Sequence, residues 1–110
     1  MPAGSGTVHS VTFTPDVAGK VLVTCTFEAQ GQSGSNWGAG FNARAFALQG
    51  GTTTLGDPAG ISTTRSTGTV RGVFDVTAGT SVECGLYGQI SGAVGVTFWN
   101  IKVTAEHIKR

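Results

Sequence analysis

From Val21 to Ala29 every second residue is apolar. Val21, Val23, Cys25, Phe27 and Ala29 alternate with Leu22, Thr24, Thr26 and Glu28, and only Leu22 departs from an apolar/polar rhythm. A period of two sends successive side chains to opposite faces of an extended backbone, so Lys20 to Gln30 is predicted as a β-strand with one buried face. The same rhythm recurs along the chain. Val8 to Thr14 has Val11 and Phe13 on one side, and Thr67 to Val76 has Val70, Phe74 and Val76 facing in with Arg71 and Asp75 facing out. In Ser81 to Ile90, Val82, Cys84, Leu86 and Ile90 share a face, which leaves Tyr87 outward. The closing run, Val96 to Ile108, places Trp99, Ile101, Val103 and Ala105 on the core side and Asn100, Lys102, Thr104 and Glu106 opposite.

Between these runs stand residues that stop or turn a strand. Pro15-Asp16, Gly50-Gly51, Asp57-Pro58, Ala78-Gly79 and Ser91-Gly92 mark turns, and residues 31–40 form a polar Gly/Ser loop carrying Trp37. Phe41 to Leu48 reads as a strand despite Ala43, Ala45 and Ala47, which also suit a helix, because glycines flank it on both sides. Thr52 to Gly60 reads as a loop or a short edge strand. The sum is seven or eight strands at close spacing, an all-β antiparallel sandwich of jelly-roll kind in one domain over residues 8–110. Residues 1–7 are small and are expected to form a flexible arm.

Composition narrows what such a domain does. The chain has 110 residues, of which 18 are glycine, so its core is thin and help from neighbouring subunits is expected. Charged residues make up 12% and the formal net charge is +1, a balance with little pull on nucleic acid or anionic lipid. The end of the chain, with His107, Lys109 and Arg110, reads as a solvated tail. The first residues lack the basic start and apolar stretch of a secretory signal, no run is long enough to span a membrane, and synthesis in a cytoplasm is expected. Cys25 and Cys84 lack C-x-x-C spacing, which leaves two buried thiols or one disulfide and gives no zinc or redox signature.

Catalytic inventory is sparse. The two histidines, His9 and His107, have no carboxylate or thiol at a recognisable spacing, and the six carboxylates suggest no facing pair. No carboxylate-rich loop or His-x-His points to a metal, and no glycine loop leads into a phosphate-binding helix, so no cofactor is expected. The aromatics are the remaining candidates. Trp37 in its polar loop, Tyr87, and Phe98 would suit a subunit contact or a sugar-stacking surface, with Asn36 and Arg44 beside them; Trp37 equally suits a plug folded back over an open end of the sandwich, and Trp99 is read as core.

Two segments carry a resemblance. Val11-Thr12-Phe13-Thr14-Pro15 followed by Ala18-Gly19-Lys20-Val21-Leu22-Val23 resembles the opening of trimeric jelly-roll modules of the C1q/TNF-like group, and of many phage tail-fibre and capsid-accessory proteins. Phe74 to Val82 resembles a later hairpin of those modules, and Val96 to Val103 their last strand. About half the chain is covered, and the collagen-like stalk of the C1q proteins is missing. The resemblance implies a homotrimer in a virus particle, most concretely a phage capsid decoration (cement) protein bound to a capsid or other virion protein. The alternative is a glycan- or receptor-binding module such as a tail-tip adhesin or small lectin. Contact residues on these readings are Asn36, Trp37, Arg44, Tyr87, His107 and Arg110.

Overall fold

The computed structural model describes residues 4–31, 41–61, 64–90 and 96–109. Its elements are β1 (Gly4–Phe13), β2 (Gly19–Gly31), β3 (Phe41–Gln49), β4 (Thr52–Leu55), β5 (Ala59–Gly60), β6 (Ser66–Val76), β7 (Val82–Ile90) and β8 (Val96–Lys109). They form two antiparallel sheets packed as a β-sandwich. One runs β1-β7-β3-β4, with β5 also on β3, and the other runs β6-β2-β8. Of the connections, that between β3 and β4 joins hydrogen-bonded neighbours and that between β4 and β5 stays along the same edge of β3; elsewhere the chain passes from one sheet to the other. The β3–β4 connection is a two-residue turn at Gly50 and Gly51, with φ of 60° and 80°, the conformation that matches strand twist in a tight hairpin.

Period-two alternation becomes burial. Val21, Val23, Cys25, Phe27 and Ala29 of β2 meet Val70, Phe74 and Val76 of β6 and Val82, Cys84 and Leu86 of β7 in one core. Ala43, Ala45 and Ala47 are buried there too, so the strand assignment of this segment holds. The inward face of β6 also carries Gly68 and Gly72, which leave room for rings: a methyl group at Gly68 would sit 2.6 Å from the Phe27 ring, and one at Gly72 2.4 Å from that of Phe74. Both cysteines are free thiols within this core.

The ends of the sheets differ from the sequence expectation in two places. Residues Gly4 to Thr7, read as part of a flexible arm, pair with Ile90 to Tyr87 as the first part of β1. Backbone hydrogen bonding holds them, which small side chains neither require nor advertise. At the other end, the closing strand expected to reach Ile108 runs on to Lys109, so that His107 and Lys109, grouped with Arg110 as a solvated tail, are paired with Val21 and Gly19 of β2.

The two long sides of the sandwich are built differently. On one, β4, Gly56 and β5 run back along the whole of β3, with the Gly56 amide donating to the Ala45 carbonyl at 2.8 Å. Gly56 also lies against the backbone of β6 at Arg71 and Gly72, which closes the middle of this side; next to it a cavity of about 120 Å³ is lined by Ala47, Gln49, Thr52 and Thr54 from β3 and β4 and by Phe74, Asp75 and Val76 from β6. On the other, β1 faces β8, and the inward residues are only partly buried: Val8, Val11 and Phe13 from β1, and Phe98, Ile101, Val103 and Ala105 from β8. This side is open.

Candidate functional site

A single irregularity decides what β8 presents. Its pairing with β2 shifts register between Thr26 and Glu28, where Asn100 and Ile101 together oppose Phe27. Asn100 has φ of 51°, the only non-glycine in the left-handed region among the described residues. Asparagine tolerates that conformation better than most side chains, and a bulge of this kind inserts one unpaired residue and reverses the strand's inside-outside parity. Phe98 therefore turns inward and meets Phe27 edge-on, with centroids 5.8 Å apart. Trp99, expected in the core, turns outward opposite Glu28 and is only partly buried.

There it joins a cluster that sequence reasoning misses. The Arg65 guanidinium lies 4.0 Å from the centroid of the Trp99 ring, a cation–π contact. Its Nε donates to Glu28 Oε1 at 3.1 Å, while Asn100 Nδ2 donates to Glu28 Oε2. These bonds, first that from Asn100 and then that from Arg65, hold the Glu28 carboxyl below its ordinary range. The residue that makes the bulge also fixes the carboxylate that fixes the arginine.

On the outer face of the other sheet the structure brings two expected residues together. Arg44 and Tyr87 are direct cross-strand neighbours, with Asn42 and Gln89 as the next pair on that face. Arg44 Nη1 donates to the Gly56 carbonyl at 3.2 Å, and the Tyr87 ring stands edge-on to Phe46, 6.0 Å between centroids. Phe46 is 1% exposed although it lies outside the inter-sheet core, so this outer face is not simply solvated. Asn42 Oδ1 and Arg44 Nε are buried there without a hydrogen-bond partner. Asn36, Trp37 and Arg110 lie outside the described residues.

His107 is a correction. Period two carries on from Val103 and Ala105, so its side chain faces in on the open side and keeps only 13% exposure. Its Nδ1 lies 3.9 Å from Asp16 Oδ1, its ring 5.9 Å from that of Phe13, and its Nε2 is buried without a partner. Asp16 comes from the turn after β1, a proximity no spacing in the chain reveals.

Two further carboxylates are engaged structurally. Glu83 accepts from Ser10 Oγ at 2.7 Å, and Asp75 pairs with Lys20 at 2.6 Å. Among the described residues, no group of three or more His, Cys, Asp and Glu could hold a metal. The thiols are poor nucleophiles: burial, and then the proximity of Cys84, pushes Cys25 up to about 12, and burial, with the Glu83 charge, pushes Cys84 up to about 11. No helix of the described residues is long and apolar enough to cross a membrane. Comparison with known protein families, with curated proteins and with solved structures found no match.

Proposed function

We propose that this chain is a non-enzymatic structural subunit of a virus particle, of the capsid decoration kind, that works by contact with copies of itself and with a shell protein. One observation carries the assembly part of this reading. Among the described residues the β1/β8 side leaves seven core-facing apolar residues partly buried, from Val8 to Ala105, while on the opposite side β4, Gly56 and β5 lie along β3. Monomeric domains rarely leave a continuous apolar strip uncovered, and a thin core gains most from a neighbour that covers it. The virion setting rests on the resemblance of the opening and closing strands. That resemblance implies three copies; the open side by itself favours self-association without setting the number.

Solution mass by light scattering tests the assembly. The expected result is a multiple of 11.2 kDa at micromolar concentration, falling toward the monomer on dilution. A mass of 11.2 kDa at every concentration would remove the self-assembly reading. The virion part is tested by cosedimentation of the purified chain with expanded phage capsid shells.

A second reading, glycan binding, draws on the adjacency of Arg44 and Tyr87 with Asn42 and Gln89. An aromatic ring beside amide and guanidinium donors is a usual composition for a sugar surface. If it is right, Tyr87→Ala abolishes retention on glycan resin and leaves the solution mass unchanged.

A further inference from the structure

The strand β8 is the feature that goes furthest beyond this reading. It is 14 residues long and, among the described residues, pairs with β2 alone, so from Thr97 onward its second edge carries unpaired backbone donors and acceptors. Natural edge strands of this length are ordinarily blunted by charge, proline or covering loops. Here the outer face of β8 reads Lys102, Thr104, Glu106, all exposed. Among the described residues, neither Lys102 nor Glu106 has an ion-pair partner in the chain.

We propose that β8 pairs edge to edge with the β8 of a second copy, antiparallel and two-fold symmetric about Thr104. In that register Lys102 of each copy lies directly across from Glu106 of the other, and Thr104 meets Thr104. On the inner face Val103 lies across from Ala105, joining the half-buried apolar strips of the two open sides. Moving the two-fold axis by one residue, to Val103 or Ala105, places Lys102 and Glu106 opposite uncharged residues. Only the axis at Thr104 satisfies both charges twice. The pairing makes one continuous six-stranded sheet from two β6-β2-β8 sheets, and the contact is isologous, as a two-fold requires.

The other edge of the same sheet carries a similar order, Arg71, Val73, Asp75, with Val73 56% exposed. It is the weaker candidate. Lys20 already holds Asp75, and Gly56 lies against the Arg71 carbonyl, where a second strand would have to bind. Among the described residues Lys102 and Glu106 are uncommitted, and the β8 edge around Thr104 is open.

This inference rests on the self-assembly reading, and charge reversal separates the two. Lys102→Glu and Glu106→Lys each set like charges opposite one another at both symmetric positions, so each is expected to weaken dimerisation at least about tenfold. Mixing the two variants in equal amounts restores complementarity between unlike chains, and so does the double exchange within one chain. Both should recover the wild-type mass, whereas Arg71→Glu should not alter it. If both single variants assemble as the wild type does, or if the particle is a trimer insensitive to them, the β8 contact is wrong while self-assembly stands. A wild type that stays monomeric at high micromolar concentration removes both. Thr104→Cys gives a reading independent of charge. Under mild oxidation it should cross-link as a dimer while Thr97→Cys does not, and equal cross-linking of the two would overturn the register.

Discussion

Gly85 offers the sharpest test of how β1 is seated. The residue lies on β7 beside the register shift of β1 between Thr7 and His9. A Cβ built at Gly85 would stand 2.1 Å from the His9 carbonyl oxygen and 2.8 Å from Ser10 Cα. Both are backbone atoms, so no rotamer change relieves the clash. Gly85→Ala must drive β1 outward by about 1 Å to reach the 3.0 Å that real Cβ contacts respect. Two ladder hydrogen bonds around His9 would be lost or stretched, at about 0.5–1.5 kcal/mol each, and overpacking adds about 1–3 kcal/mol. The expected destabilisation is about 2–6 kcal/mol. With an unfolding entropy of about 2.1 cal/mol/K per residue, this lowers the melting temperature by about 10–25 °C. Gly50→Ala is the control. That site has φ of 60° and open space around it, so alanine there meets only left-handed strain, about 1 kcal/mol, and a drop of about 4 °C. Thermal unfolding followed by circular dichroism decides it. A Gly85→Ala variant melting within about 3 °C of the wild type would mean that β1 is not held in this register against β7.

Four further expectations follow from the core and the bulge. Asn100→Val places a β-branched residue where φ is 51°, so it should cost about 2 kcal/mol or more in denaturant unfolding, while Asn100→Gly keeps the bulge and stays within about 1 kcal/mol of the wild type. Arg65→Ala strips the guanidinium from Trp99 and should raise acrylamide quenching of Trp99 in a Trp37→Phe background, with stability changed by about 0.5–1 kcal/mol. Because the folded-state pKa of Glu28 is lowered, its contribution is full above its ordinary value of 4.5 and lost as pH falls through the lower folded value; the wild-type Trp99 emission should respond only in that acid range. The buried thiols act at the opposite extreme. Their folded pKa values are raised to about 12 and about 11 from 9.0, so stability is unaffected below pH 9 and declines as pH rises from there toward the folded values, where the unfolded chain ionises first; Cys25→Ala/Cys84→Ala should flatten that decline, measured as midpoint against pH.

The strands themselves are legible in the chain because each core strand separates two environments, and Val21 to Ala29 or Val82 to Leu86 record that separation residue by residue. Pairing is not legible. β1 joins β7, and β2 lies between β6 and β8, through backbone bonds that any alternating strand could offer to any other. The start of β1 shows the same limit in miniature. Gly4, Ser5 and Gly6 carry almost no side chain with which to mark an inward face, yet they pair with Ile90, Gln89 and Gly88. The partial burial of β8 is likewise a property of its place at the edge, since Ile101, Val103 and Ala105 look no different in sequence from the fully buried residues of β2.

The candidate site depends on a rule that the sequence breaks in plain view. Strict alternation cannot place both Phe98 and Trp99 together with Ile101 and Val96, because Val96 and Phe98 share one parity and Trp99 and Ile101 the other. An asparagine between Trp99 and Ile101, the residue type most at ease with a positive φ after glycine, marks where the parity changes. Placing the bulge there from the start sends Val96 and Phe98 inward with Val103, and moves Trp99 to the outer face. Arg65 remains unforeseen, because it reaches Trp99 from the segment before β6 rather than from a paired position. The bulge has a second consequence at the other end of β8. With the extra residue absorbed at Asn100, the strand beyond it keeps regular register, Thr26 with Lys102, Thr24 with Thr104 and Leu22 with Glu106. Lys102 and Glu106 thus stand on one face, two positions either side of Thr104, as a self-complementary strand edge requires. Shifting the bulge to a site beyond Lys102 would set the two charges on opposite faces and leave the edge without a preferred partner.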